Sequence, residues 1–252
     1  MRKLLPGLAA TLLVLNLGAA QAAEGVKIPE RHWSFDGIFG YFDRAQLQRG
    51  LQIYREVCSG CHSLKYIAFR NLADLGFSEE EVKAIAEEYQ IVDGPDDEGE
   101  MFERSGVPSD YFPSPFPNKQ AAAAANGGAA PPDLSLMAKA RAHGPDYIHA
   151  LLTGYEEPPA DKELLEGLSY NVSFLGNQIA MAPPLLEGVV EYADGTEATL
   201  DQMAEDTAAF LMWTAEPKME VRKRTGIKVI LFLLVMTAIL YAAKKKVWRD
   251  AH

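Results

Sequence analysis

Two mostly apolar runs, at residues 4–17 and 229–243, lie near opposite ends of the chain. Between them, apolar positions recur at helical rather than strand spacing. Asp43-Arg-Ala-Gln46 precedes Leu47, Leu51 and Tyr54, which predicts a capping box and an amphipathic helix. Ser78-Glu-Glu-Glu81 repeats the signal ahead of Val82, Ile85, Ala86 and Tyr89. Residues 146–152 predict a short helix ending near Gly154. Residues 199–214 predict a longer one, with Met203, Phe210, Leu211 and Thr214 on one side and Pro217 at its end. Residues 93–118 hold five prolines and predict loop. The five alanines at 121–125 suit one helical turn or a spacer. Strand signals are few; residues 188–192, before Asp194-Gly195, suit a small hairpin arm. The fold class expected is mainly α with long loops, plus one C-terminal transmembrane helix.

The two apolar runs differ in their flanks. Arg2 and Lys3 precede the first, and Ala20-Gln21-Ala22 follows it with a small-x-small cleavage pattern. Residues 1–22 therefore predict a secretory signal, with the mature chain beginning at Ala23. The second run is too short alone, since fifteen helical residues rise about 22 Å. Counted from Gly226 to Lys245 it reaches ~30 Å, the thickness of a hydrocarbon core. Lys228 and Lys244 can snorkel to the two interfaces. Basic residues bracket the run almost equally, so the positive-inside rule does not orient it. The signal does. The organisation expected is a signal at 1–22, an exported domain at 23–221, an anchor with basic flanks at 222–245, and a cytoplasmic tail at 246–252.

Composition is ordinary for a globular chain of 252 residues, with 48% hydrophobic and 23% charged side chains. The net charge is −11, which disfavours nucleic acid as a partner. Charge is unevenly distributed. Residues 23–221 carry 14 basic and 34 acidic side chains, a net −20. Such a surface attracts a cationic partner through forces that salt weakens.

Both cysteines of the chain fall in Cys58-Ser59-Gly60-Cys61-His62. This C-x-x-C-H pattern is that of c-type haem attachment. Two thiols add to the two vinyl groups of one haem, and the next histidine becomes an axial ligand of the iron. Gly60 keeps a side chain out of the passage beside the macrocycle. A thioredoxin-like dithiol belongs in a βαβ setting, which the pattern lacks. A structural zinc site needs four ligands, and no second cysteine pair exists. A Cys58–Cys61 disulfide leaves His62 unexplained. The second axial ligand has several candidates: His32, His143, His149 and His252, and Met101, Met137, Met181, Met203, Met212 and Met219. Met203 and Met212 suit the core of the last amphipathic helix. Met181 stands in a loop stiffened by Pro183 and Pro184 and is favoured by that context.

From about His32 to Trp248 the sequence resembles the cytochrome c1 family, the haem subunits of the quinol–cytochrome c oxidoreductase (bc1) complex. The resemblance rests on WSFDGIFG at 33–40, YREVCSGCHSL at 54–64 and the long acidic, proline-rich segment 93–118. It rests also on PPDLS at 131–135, LTGYE at 152–156, MAPP at 181–184 and the basic-flanked C-terminal span. It implies a cytochrome c-like haem domain with one covalent haem c on Cys58 and Cys61, and His62 and Met181 as axial ligands of the iron. It implies that Arg141 and Tyr147 bind haem propionates, that Pro131 and Pro132 pack near the haem and His62, and that Asn126 approaches the haem. The extra disulfide of some members is absent here, so the loop at 155–169 must be held by packing and hydrogen bonds.

The implied role is electron transfer from the Rieske iron–sulfur protein, beside cytochrome b in a dimeric membrane complex, to a basic cytochrome c. No catalytic residue is implied in the chain itself. Residues 79–81 and Asp93, Asp96, Asp97, Glu98, Glu100 and Glu103 are the acidic candidates for docking. The implied location is a bacterial inner membrane with the haem domain on the periplasmic side. The nearest rival is an independent membrane-tethered monohaem cytochrome c. A haem-free thiol oxidoreductase and an enzyme with an open haem site are more distant ones.

Overall fold

A computed structural model describes residues 26–249; the expected signal at 1–22 and His252 lie outside them. The elements in chain order are α1 (Arg44–Ile53), α2 (Glu79–Glu87), β1 (Gln90–Asp93), β2 (Phe102–Ser105), α3 (Lys119–Ala125), α4 (Met137–Ala140), α5 (Gly144–Thr153), β3 (Ser169–Tyr170), β4 (Gln178–Ile179), α6 (Leu200–Ala215) and α7 (Met219–Val247). A π turn, Tyr54–Cys58, extends α1, and a 3-10 segment, Phe69–Leu75, precedes α2. The domain is mainly helical, as the apolar periodicity requires.

Helices α1 and α6 cross at the centre of the core. Leu47, Leu51, Met203, Ala204, Phe210 and Trp213 are buried where they meet. Gly50 sets the closeness of the crossing. A Cβ there would stand 2.3 Å from the Asp206 carbonyl oxygen and 2.5 Å from the Phe210 Cβ. Beside this contact, Arg49 Nε donates to the fully buried Asp206 carboxylate at 2.8 Å, and its Nη1 donates to Asp194 at 2.9 Å. Burial pushes the Asp206 carboxyl up against the opposing pull of Arg49. The pair ties α1 to α6 at the level of Gly50.

Several local expectations hold and others are corrected. Ser78 and Glu81 form the reciprocal capping box of α2. Asp43 caps α1 by accepting from Ala45 and Gln46 N–H. The Gln46 side chain does not return the bond; it donates to Glu205 instead. Segment 93–118 is not all loop, because β1 and β2 pair antiparallel with Asp93 opposite Phe102. Arg104 holds that hairpin by reaching both Asp93 and Asp110. The alanine run forms α3, seven residues long, capped by the Asn118 side chain. Residues 188–192 form no strand. Val190 and Tyr192 bury individually while Gly188 and Gly195 turn at positive φ. Hydrogen bonds do hold the loop after α5: Lys162 Nζ donates to Asn177 at 2.7 Å and Leu165 N–H to Gln178 at 3.1 Å.

The last helix is continuous through the basic flank and the apolar run. It starts at Met219, which is buried in the domain core, and ends at Val247. Its most apolar stretch has a mean hydropathy of 2.3 and none of it is buried in the domain. Among the described residues it is the one helix long and apolar enough to cross a membrane. A buried soluble helix would have hidden those side chains.

Candidate haem site

The cysteine motif sits where a helix is forced open. The Ser59 N–H donates to the Tyr54 carbonyl, five residues back, at 2.8 Å. Such π closures recur at functional sites. Beyond it, the Cys61 and His62 N–H groups both donate to the Cys58 carbonyl, at 3.1 and 2.9 Å, and coil the motif into a tight turn. Tyr54 ties this turn to the core. Its ring packs against Phe112 and Phe210, and its hydroxyl donates to the His62 carbonyl at 3.2 Å. Cys58 is half-buried and Cys61 exposed, and neither is in a disulfide. Burial first, and Cys61 second, push the Cys58 thiol up to about 12. It is therefore an S–H group at neutral pH, able to add across a vinyl double bond.

His62 is oriented by a segment seventy positions away. Its Nδ1 lies 2.8 Å from the Pro132 carbonyl oxygen. A carbonyl can only accept, so Nδ1 carries the proton and the Nε2 lone pair is left for a metal. Burial lowers the imidazole pKa and favours the neutral ring. Asp133 secures the contact. It accepts from Ser63 Oγ at 2.7 Å, Lys65 N–H at 3.1 Å and Ser135 N–H at 3.0 Å. The Leu134 N–H donates to the Ser63 carbonyl at 2.9 Å. Burial raises the Asp133 carboxyl, but these donors outweigh it and hold it below its ordinary value. Pro131 is half-buried and Pro132 exposed. Neither the Asp133 clamp nor Ser63 stood out in the sequence, although Asp133 lies within PPDLS.

Met181 lies two residues past β4, half-buried. Tyr155 holds its backbone, donating its hydroxyl to the Met181 carbonyl at 3.1 Å. Burial raises the Tyr155 phenol, and nearby Tyr147 raises it further. Burial also raises Tyr147, against the opposing Arg141 guanidinium. Met181 and Tyr155 are thus joined by a hydrogen bond, with Tyr147 near enough to act on Tyr155 and Arg141 on Tyr147. Tyr155 went unmarked, although it lies in LTGYE. Asn126 stands apart: its side chain donates to the Ala122 carbonyl at 2.7 Å and closes α3. Nothing among its hydrogen bonds links it to Cys58, His62 or Met181.

Several of the other axial candidates have partners or surroundings of their own. His149 is buried and its Nε2 lies 2.9 Å from Asp201. His143 opens α5 in a left-handed conformation. Met203 and Met219 are in the core, Met137 and Met212 pack against it, and Met101 is exposed on the acidic loop. The donor set fits a covalent haem: two thiols three positions apart, a neutral imidazole with Nε2 free of the Pro132 bond, and a thioether on a braced loop. Among the described residues, no three His, Cys, Asp or Glu groups converge as a chelating cage. A Cβ on Gly60 would meet no protein atom within 4 Å. Packing within the described chain does not require glycine there.

Several acidic candidates have local duties. Glu81 closes the α2 cap, Asp93 pairs with Arg104, and Asp96 accepts from the Glu98 and Glu100 N–H groups. Those bonds hold all three carboxyls below their ordinary values. Glu79, Glu80, Asp97, Glu98, Glu100 and Glu103 are exposed.

Residues 33–251 match the sequence profile of the Cytochrome C1 family. The chain is 50% identical over 259 residues to "Cytochrome c1" of Rhodospirillum rubrum, covering 96% of this chain and 95% of that one. It is 52% identical over 267 residues to "Cytochrome b/c1" of Bradyrhizobium diazoefficiens, covering 97% of this chain. The chain spans about two-fifths of that relative's length, 39%. "Cytochrome c1, heme protein, mitochondrial" of Saccharomyces cerevisiae is 49% identical over 236 residues, covering 93% of this chain and 76% of that one.

Proposed function

The chain belongs to the cytochrome c1 family, and on that footing we propose that it is the haem-bearing electron-transfer subunit of a quinol–cytochrome c oxidoreductase. When bound, the haem iron would supply reversible one-electron Fe(III)/Fe(II) chemistry, which suits a relay between a Rieske iron–sulfur protein and a basic cytochrome c. Cys58 and Cys61 would hold the porphyrin by thioether bonds, each made by adding S–H across a vinyl group with no atom lost. His62 Nε2 and the Met181 sulfur would be the groups that hold the iron, and with both engaged the metal would carry electrons rather than bind a substrate. Pro132 and Asp133 keep the imidazole in the tautomer that can ligate. Tyr155 keeps the Met181 loop in place, and Arg141 with Tyr147 presents a cation and a phenol to the propionates.

The rest of the chain addresses this site to a membrane. Residues 1–22 export residues 23–221, and the 222–245 anchor lies within α7, leaving residues 246–252 in the cytoplasm. This puts the haem domain on the periplasmic side of a bacterial inner membrane, beside cytochrome b in a dimeric complex. The relative whose name joins b and c1 supports that neighbour. The observation that carries the proposal is the Pro132-bound His62 directly following two cysteines outside any disulfide.

The test is purification from membranes in mild detergent, with haem staining on a denaturing gel and a quinol-to-cytochrome c assay. A stained band near the chain's mass, co-purifying with b-type haem, a Rieske centre and turnover, is expected. A stained chain that purifies alone from otherwise intact membranes and takes no electron from quinol would point instead to an independent tethered cytochrome.

A further inference from the structure

The loop that precedes α1 leaves three large apolar side chains in solvent. Ile38 is 66% exposed, Phe39 79% and Tyr41 64%. Single exposed apolar residues are ordinary, but three within four positions form a patch. The loop is bolted to the first turns of α7. Lys223 Nζ donates to the Phe35 carbonyl at 2.6 Å and to the Gly40 carbonyl at 3.4 Å. From the other side, the Phe42 N–H donates to the Glu220 carboxylate at 2.9 Å.

That attachment places the loop beside the first two turns of α7. From Lys223 to Gly226 is three residues, about 4.5 Å along a helix, and to Val229 six, about 9 Å. The headgroup layer on each side of a bilayer is ~5–8 Å thick. If hydrocarbon begins between Gly226 and Val229, the loop lies at headgroup depth. Aromatic side chains concentrate there. Of the carboxylates nearby, Glu220 is paired with Arg44 and holds Phe42, while Asp36 and Asp43 accept from local N–H groups. Arg224 and Lys228, on the next turns of α7, bring positive charge to the level of lipid phosphates.

We propose that Ile38, Phe39 and Tyr41 insert into the interfacial layer of the bilayer that α7 spans. They form a second foothold that fixes the tilt of the haem domain over the membrane. A span alone leaves a domain free to swing about its first turn, whereas two contacts joined by Lys223 and Glu220 do not. The occupant is lipid, and the inference rests on α7 being the membrane anchor proposed above.

The test is spin-label accessibility in the full-length, haem-loaded chain within its complex in lipid nanodiscs. Labels are introduced by Phe39→Cys, by Val235→Cys within the apolar run, and by Asp97→Cys on the exposed hairpin loop. At 39 and 235, broadening by dissolved oxygen should exceed broadening by an aqueous nickel chelate severalfold, with the reverse at 97. A water-like signal at 39 with a lipid-like signal at 235 would overturn the foothold while leaving the anchor intact. Protection from both reagents at 39 would assign the patch to a protein neighbour and overturn it equally. A water-like signal at 235 would remove the anchor and the foothold together.

Discussion

The Nδ1 atom of His62 lies 2.8 Å from the carbonyl oxygen of Pro132, and Asp133 beside it accepts from Ser63, Lys65 and Ser135. The imidazole is oriented by a clamp on the two chain segments that bracket it. Replacing Asp133 by Ala leaves these donors without their acceptor in a half-buried site. The expected loss is on the order of 2–3 kcal/mol in denaturant unfolding of the haem-loaded chain. Asp133→Asn, which keeps one acceptor, should lose less. Equal losses would mean that the clamp does not act through these bonds.

Gly50 and Gly60 answer to different neighbours. Gly50→Ala forces a Cβ into Asp206 and Phe210 across the α1–α6 crossing, which should destabilise the domain by about 1–3 kcal/mol. Gly60→Ala meets open space. It should leave stability of the haem-free chain unchanged while reducing the yield of haem-stained protein. Thermal unfolding and haem staining of the two variants separate the roles, and a stable, fully stained Gly60→Ala would remove the haem argument for that glycine.

Asp194 is held near pKa 2, first by the Thr196 N–H and then by Arg49. Its folded pKa is depressed, so its contribution is complete above the unfolded value, ~3.9, and is lost as pH falls toward 2. The melting temperature of the chain should therefore fall more steeply between about pH 4 and pH 2 than that of Asp194→Asn. Parallel curves would show that the Asp194 carboxylate, held by Thr196 and Arg49, carries no pH-dependent stability.

Electron delivery to a basic cytochrome c should slow as salt rises. Reversing Glu98 or Glu100 to Lys, on the exposed β1–β2 loop, should reduce the second-order rate roughly two- to fivefold at low ionic strength. The rates should converge as the Debye length shrinks from ~10 Å at 0.1 M to ~3 Å at 1 M salt. A variant rate that tracks the parent at every salt concentration would exclude this loop from docking. Glu81, Asp93 and Asp96 are poorer tests, because each also holds local structure.

The helices were legible because their signals are local. Ser78, Asn118 and Thr199 cap the helices that follow them, and α6 buries the stripe its periodicity marks. The β1–β2 hairpin was not legible, since its strands carry no strong apolar alternation and its lock is Arg104 between Asp93 and Asp110. The arm expected at 188–192 failed for the opposite reason. Its apolar residues read as strand, yet Val190 and Tyr192 each find the core without pairing. At the site, spacing gave Cys58, Cys61 and His62, and loop context favoured Met181. The Pro132, Asp133 and Tyr155 contacts join segments 26 to 70 residues apart, and no local pattern encodes them.

In the proposed function, His62 and Met181 would ligate the iron of a haem held by Cys58 and Cys61. Near-infrared magnetic circular dichroism of the oxidised full-length chain reads the axial pair directly. The charge-transfer band of low-spin His–Met ferric haem is expected, lost in Met181→Leu with a fall in reduction potential. A bis-histidine band, a high-spin signature, or a His–Met band that survives Met181→Leu would contradict it.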